Sequence, residues 1–193
     1  MVGTSDRKIR LRRIKASIWR YSVGNWSEDF QNQRTSWMIR IYTDGAAQGN
    51  PGPGGYAAIL KYKDAVKEIS EGFRLTTNNR MELLAVIKGL EAIKKEGIAI
   101  TIYSDSKYVV DAVEKGWIWG WQKKNFAKKA NADLWQRYIT LHQKHKPKFV
   151  WVRGHAGHPE NERCDFLAVK AAEGYDLLVD QWYEQNKNNA SLE

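Results

Sequence analysis

Apolar and polar positions along this chain change their period several times, and each change marks an expected element. Met38–Thr43 reads Met-Ile-Arg-Ile-Tyr-Thr, a short β-branched run that predicts a strand, bounded by the Gly/Pro-rich stretch Gly45–Gly55. Tyr56–Tyr62 and Val66–Phe73 predict two more strands, with Lys63, Asp64 and Ala65 as the hairpin turn between them. Leu83, Val86, Ile87, Leu90 and Ile93 recur at the spacing of one buried helical stripe. Asn79–Glu96 is therefore expected to be a helix, stopped by Gly97. Ile98–Tyr103 predicts a fourth strand, Ser106–Lys115 and Ala132–His145 two helices, Phe149–Val152 a fifth strand and Pro159–Ala172 a last helix. Strands in succession, followed by alternating β and α, imply an α/β fold in which helices pack on a mixed sheet. No repeat of solenoid length is present.

Composition narrows this picture. Hydrophobic residues make up 42% of the 193 positions, enough for a real core and too many for a mostly disordered chain. Cys164 is the only cysteine, so no internal disulfide is possible. No apolar run reaches the roughly 18 residues of a membrane span, and no signal-peptide core opens the chain. A cytoplasmic setting with no membrane partner is expected.

The 31 Lys+Arg against 22 Asp+Glu leave a net charge of +9, which points to a polyanionic partner. Its distribution is uneven. Residues 1–37 hold eight Lys/Arg and three Asp/Glu, while residues 38–193 hold 23 and 19. Three segments are expected: a basic, aromatic-containing arm over 1–37, a main domain over 38–175 and a C-terminal tail over 176–193. Met38 could itself be a start codon. The arm is read first as disordered and basic, then as an artefact, and last as an organelle presequence.

Candidate chemistry begins with a local echo, Ile41-Tyr42-Thr43-Asp44 against Ile102-Tyr103-Ser104-Asp105. Each is an apolar strand ending in an aspartate. Parallel neighbours of this kind would place both carboxylates at one sheet edge, where α/β folds bind ligands. Either aspartate alone is better explained as a cap on the following turn or helix; the matched pair leaves both explanations open. Glu82 and Asp165 each enter early in an expected helix, where an acid also interacts favourably with the helix N-terminus. Carboxylates crowded together repel one another and need a cation, and hard oxygen donors suit Mg²⁺ or Mn²⁺. Zinc is a poor match, with one cysteine and no ligand pair for His155 and His158.

The residues Thr43-Asp44-Gly45, Gly49-Asn50-Pro51-Gly52-Pro53-Gly54-Gly55, Thr76-Thr77-Asn78-Asn79-Arg80-Met81-Glu82, Tyr103-Ser104-Asp105-Ser106 and Val152-Arg153-Gly154-His155-Ala156-Gly157-His158-Pro159-Glu160-Asn161-Glu162-Arg163-Cys164-Asp165 closely resemble the bacterial type 1 branch of ribonuclease H. The resemblance runs from about Met38 to Ala172, in the family's order and at compatible spacing. It implies a ribonuclease H-like fold, with a five-stranded mixed sheet of three antiparallel strands and then parallel ones. It also implies an endonuclease that hydrolyses the RNA strand of RNA–DNA hybrids, leaving 5′-phosphate and 3′-hydroxyl ends. Carried over by motif, Asp44, Glu82, Asp105 and Asp165 are the catalytic, metal-binding carboxylates for two Mg²⁺ ions, with Mn²⁺ able to substitute. His155 corresponds to a mobile histidine that assists proton transfer or product release, a task that suits a ring titrating near neutral pH.

The same resemblance implies the substrate contacts. Asn50, Asn78 and Asn79 would lie at the hybrid's minor groove, where the 2′-hydroxyl marks RNA, and Thr77 at a DNA phosphate. Capping by Asn79 is compatible with that role. Trp117, Trp119 and Trp121, interleaved with Lys123, Lys124, Lys128 and Lys129, resemble the family's basic handle for the DNA strand, with Trp117 expected in the core and Trp121 facing the groove. The segment is a few residues shorter than in well-known members, and Lys107 stands where many relatives carry Gln. A monomer with no obligate protein partner is expected. Two other classes would read differently: a silent hybrid-binding protein would have lost a carboxylate, and an integrase-like enzyme would lack the Asn pair, handle and Gly-His-Ala-Gly loop.

Overall fold

The computed structural model describes residues 37–187. Its strands β1 (Ile39–Ala47), β2 (Gly52–Tyr62), β3 (Ala65–Thr76), β4 (Ile100–Ser104) and β5 (Lys148–Trp151) form one sheet in the order β3-β2-β1-β4-β5. The β1–β2 and β2–β3 pairs are antiparallel, whereas β4 runs parallel to β1 and β5 parallel to β4. This is the five-stranded mixed sheet expected. The helices among the described residues are α1 (Asn78–Glu91), α2 (Lys107–Glu114), α3 (Trp117–Lys123), α4 (Ala132–His145), α5 (Pro159–Ala172) and α6 (Gln181–Asn186).

Period-two alternation divides the core between the two sheet faces. Ile39 and Ile41 of β1 and Ala58 and Leu60 of β2 pack with Leu83, Val86, Ile87 and Leu90 of α1. Trp135 and Tyr138 of α4 and Val109 and Val110 of α2 join that cluster. Ala57 and Ile59 point the other way, onto Cys164 and Ala168 of α5. Asp44, two positions after Tyr42 on the α5 face of β1, therefore begins on a partly covered side of the sheet.

Several boundaries differ from expectation. β1 and β2 run through much of the Gly/Pro-rich stretch, because Ala46 pairs with Gly55 and Ala47 with Gly54. Backbone pairing needs no side chain, so apolar pattern alone understates both strands. The tight turn between them lies around Gln48–Pro51, where Gln48 N–H donates to Pro53 O at 2.7 Å. α1 ends at Glu91 rather than Glu96. Its last turn tightens, with Ile93 N–H on Leu90 O at 3.1 Å, and Ile93 enters the core from outside the helix. Thr77, not Asn79, caps α1, its side-chain oxygen accepting from Arg80 N–H.

The largest difference is at the C-terminal end. Residues 176–193 are expected to be a tail, and 188–193 lie outside the described residues, yet Leu178 bridges to Phe73 and exchanges backbone bonds with β3 at 2.8 and 3.0 Å. Asp180 then caps α6 and accepts from Arg80 Nε at 2.8 Å. Arg80 is 2% exposed and also bonds Asp133. A guanidinium buried this deeply requires carboxylate partners, and the segment after 176 supplies one. The expectations for the arm fall outside the described residues. No helix among the described residues is long and apolar enough to cross a membrane.

Candidate active site

The echoed strands are neighbours. Ile41 pairs with Ile102, Tyr42 with Tyr103 and Thr43 with Ser104 in parallel register. Asp44 and Asp105, the next residue on each strand path, consequently leave the same edge. Glu82 arrives from α1, and Gly45 explains how it comes so close. A Cβ on Gly45 would stand 2.2 Å from Glu82 N and 2.5 Å from the Met81 carbonyl carbon. Only glycine lets the first turns of α1 settle against β1 here. Asp165 comes from α5, and His155 from the loop between β5 and α5.

Asp44, Glu82, Asp105, Asp165 and His155 line one cavity of about 400 Å³, together with Gly45, Ala46, Ala47, Asn78 and Gly154. Asp44 is 9% exposed. Burial, then the negative charges of Asp105, Asp165 and Glu82, push its carboxyl up to about 8, against the lowering effect of the Gly45 N–H at 2.7 Å. Burial, with Asp105 adding repulsion, pushes Glu82 up to about 7, while hydrogen bonds from Ser106 and Asn78 hold it down. Ser106 Oγ serves twice, donating to Glu82 Oε2 and accepting from Val109 N–H to cap α2.

Those raised carboxyls test whether the donor set suits a cation. Acids crowded around one hollow repel one another and favour a compensating positive charge, and every donor is a hard oxygen suited to Mg²⁺. Among the described residues no three His, Cys, Asp or Glu side chains are gathered closely enough to hold a metal ion by themselves. Mg²⁺ is bound through a few carboxylates plus waters and substrate phosphate, so an open donor set of this kind fits it.

The expected substrate residues separate into two groups. Asn50, on the β1–β2 turn, accepts from Asn78 N–H at 3.1 Å, and Asn78 Nδ2 donates to Glu82 Oε1 at 3.0 Å. Asn78 thus borders the carboxylates, with Asn50 bonded to it and Asn79 next along α1. Thr77 is 3% exposed, and its hydroxyl is engaged in starting α1. The lysines at 123, 124, 128 and 129 are exposed around and after α3. Lys107 is exposed at the start of α2, with Nζ 5.2 Å from the Trp151 ring centre.

The burial expected of two tryptophans is reversed. Trp117 is 47% exposed, beside Lys115, whereas Trp121 is partly buried and meets Trp135 edge-on at 5.5 Å. The reason is that Ile118, wholly buried, anchors α3. Trp121, three positions on, then faces α4, while Trp117 at the first turn projects outward. Trp121 still carries Lys129 Nζ 4.7 Å from its ring.

Three further residues shape the site without being singled out by the sequence pattern. Ser106 orients Glu82, and its position before a helix was the signal available. Asn161 bonds Asp105 at 3.1 Å and stands one helical turn before Asp165, a spacing that puts both on one face. Arg80 joins α1 to Asp133 and Asp180, and nothing in its local pattern foretells that.

A model of the RNase H family matches residues 37–173. The ribonuclease H of Desulforamulus reducens is 55% identical over 155 residues, covering 77% of this chain and 97% of that relative. The chain belongs to the ribonuclease H family. The ribonuclease H of Syntrophus aciditrophicus is also 55% identical, over 76% of this chain and 87% of its own. Among solved structures, LC9-RNase H1, described as a type 1 RNase H with the type 2 active-site motif, aligns with TM-score 0.64 at 30% identity. That alignment covers 79% of this chain and 84% of the other. LC11-RNase H1, solved in complex with an RNA/DNA hybrid, aligns with TM-score 0.55 at 25% identity over 70% and 96%. The fold is thus that of ribonuclease H, and this chain is an enzyme of that family.

Proposed function

We propose that this ribonuclease H is an endonuclease that hydrolyses the RNA strand of RNA–DNA hybrids. Two Mg²⁺ ions, or Mn²⁺ in their place, would be held by Asp44, Glu82, Asp105 and Asp165. The observation that carries this reading is the convergence of four carboxyls on one cavity, two of them raised to about 8 and about 7. Bound there, divalent cations would supply Lewis-acid activation of water and charge stabilisation at the leaving oxygen.

The protein's own residues prepare that chemistry. Gly45 N–H holds Asp44 Oδ1, while Ser106 and Asn78 hold the two oxygens of Glu82. Ligands fixed in this way are oriented before substrate arrives. The phosphorus–O3′ bond breaks as a water oxygen bonds to phosphorus, giving 5′-phosphate and 3′-hydroxyl ends. His155, on an exposed loop with φ of 51°, assists by moving a proton at the leaving oxygen.

Recognition uses two surfaces. The amides of Asn50, Asn78 and Asn79 sense the 2′-hydroxyl in the wide minor groove, with Thr77 setting the start of α1 beneath them. Lys123, Lys124, Lys128 and Lys129 follow the DNA phosphates, with Trp121 packing the handle to the body and Lys107 adding a cation beside Asp105. The same reading takes the enzyme to work as a cytoplasmic monomer without an obligate protein partner.

The test is cleavage of end-labelled RNA–DNA hybrid with Mg²⁺, beside single-stranded RNA, double-stranded RNA and DNA. Only the hybrid should be cut, and Asp44→Asn should leave it intact. An uncut hybrid, or an Asp44→Asn enzyme as active as the parent, would refute the proposal.

A further inference from the structure

Asp105 is held from behind by neutral groups that are not among the four carboxylates. Asn161, in the first turn of α5, donates from Nδ2 to Asp105 Oδ2 at 3.1 Å. It is 3% exposed, and its Oδ1 is buried with no hydrogen-bond partner among the described residues. An amide buried with one polar atom unpaired costs stability, and an apolar side chain of similar size would avoid that cost. A packing role therefore gives no reason for asparagine at this position. The bond to Asp105 does.

Gly154 closes on the same oxygen. A Cβ there would stand 2.7 Å from Asp105 Oδ2, so the bare backbone of the histidine loop leaves that oxygen little room. Trp151 Nε1 donates to the Asp105 backbone carbonyl at 3.0 Å. Oδ2 is thus confined between an amide donor and a glycine, and the main chain behind it is tied to β5. Asn161 and Asp165 are one helical turn apart on α5, so one rigid element sets both the support of Asp105 and the carboxylate of Asp165.

We propose that Asn161 is a positioning residue, which pins Asp105 Oδ2 so that Asp105 and Asp165 reach the cation at a spacing set by α5. The inference rests on the reading that these carboxylates bind divalent metal. Partners that orient a ligating carboxylate typically contribute 10- to 100-fold in metal affinity. The amide acts through Asp105 and contacts neither substrate nor metal.

The experiment compares the parent enzyme with Asn161→Leu, which keeps bulk without a donor, and Asn161→Ala, which rules out a clash from the leucine. Mg²⁺ affinity is measured by calorimetry, melting temperature without metal, and kcat and KM on labelled hybrid across a Mg²⁺ series. Both variants should bind Mg²⁺ about 10- to 100-fold more weakly and lose kcat at low Mg²⁺, recovering in part as Mg²⁺ is raised. KM for the hybrid should stay within about twofold, since groove contacts are untouched. Asn161→Leu should melt no lower than the parent.

Variants that match the parent in Mg²⁺ affinity and kcat overturn the assignment. So does a loss confined to a variant whose melting temperature has fallen. A parent that neither binds Mg²⁺ nor cuts the hybrid would instead defeat the metal reading itself, and the two failures are told apart by the parent alone.

Discussion

Replacing Asp44 by asparagine should stabilise the metal-free protein even as it abolishes turnover. The ordinary value of an aspartate carboxyl is 3.8, and in this fold Asp44 stands at about 8. A carboxyl raised on folding favours the native state fully below its unfolded value, and that contribution is lost as pH climbs to the folded value. Each pH unit between the two costs about 1.4 kcal/mol, so the penalty is near zero at pH 4 and reaches about 4 kcal/mol at pH 7. Glu82 is raised alongside Asp44 and shares the repulsion, which makes about 2–4 kcal/mol the expected gain at pH 7.

Asparagine keeps an Oδ1 for the Gly45 N–H, so that 2.7 Å bond is not lost. For a domain of this size the gain amounts to roughly 4–16 °C in melting temperature. The assay is thermal unfolding in EDTA from pH 4 to 8, for parent and variant. The difference should vanish at pH 4, grow toward pH 8 and narrow when Mg²⁺ is added. An Asp44→Asn protein that melts at or below the parent at pH 8, or a gain independent of pH, would refute the electrostatic account of the site.

His155→Ala should lower kcat on the order of 10²-fold while leaving measurable cleavage; complete loss would mean the ring does more than move a proton. Changing Lys123, Lys124, Lys128 and Lys129 to Ala should mainly raise KM and flatten its salt dependence, by about 0.7–0.9 in log–log slope for each phosphate contact removed. An unchanged slope would count against the handle. Arg80→Met leaves Asp180, itself 8% exposed, without its partner, and should destabilise the fold by about 3–5 kcal/mol in urea unfolding. A loss well under 1 kcal/mol would show that the buried network is slack.

Much of the sheet was legible because burial writes a period onto the chain. Ile41 and Ile102 belong to apolar strands whether or not their neighbours are known, and the stripe from Leu83 to Leu90 is helical by spacing. Where the core does not write a period, the boundaries moved. Gly54 and Gly55 pair as strand without side chains, and Ile93 reaches the core from beyond its helix. The exposure of Trp117 and the packing of Trp121 depend on which way Ile118 turns α3, a question no local pattern answers.

Taken by itself, the sequence singled out the side chains proposed to carry the chemistry: four acids in a recognisable order, a histidine between glycines, two adjacent asparagines and a lysine cluster. Tertiary structure decided what those groups are electrically. The displacement of Asp44 to about 8 comes from burial and from Asp105, Asp165 and Glu82, residues supplied by three other segments of the chain. It likewise decided that Asn161 braces Asp105 and that Asp180 completes the shell of Arg80. Residue type and spacing are local properties of a chain. Desolvation, repulsion and hydrogen-bond partnership arise only when distant segments share a volume from which water has been expelled.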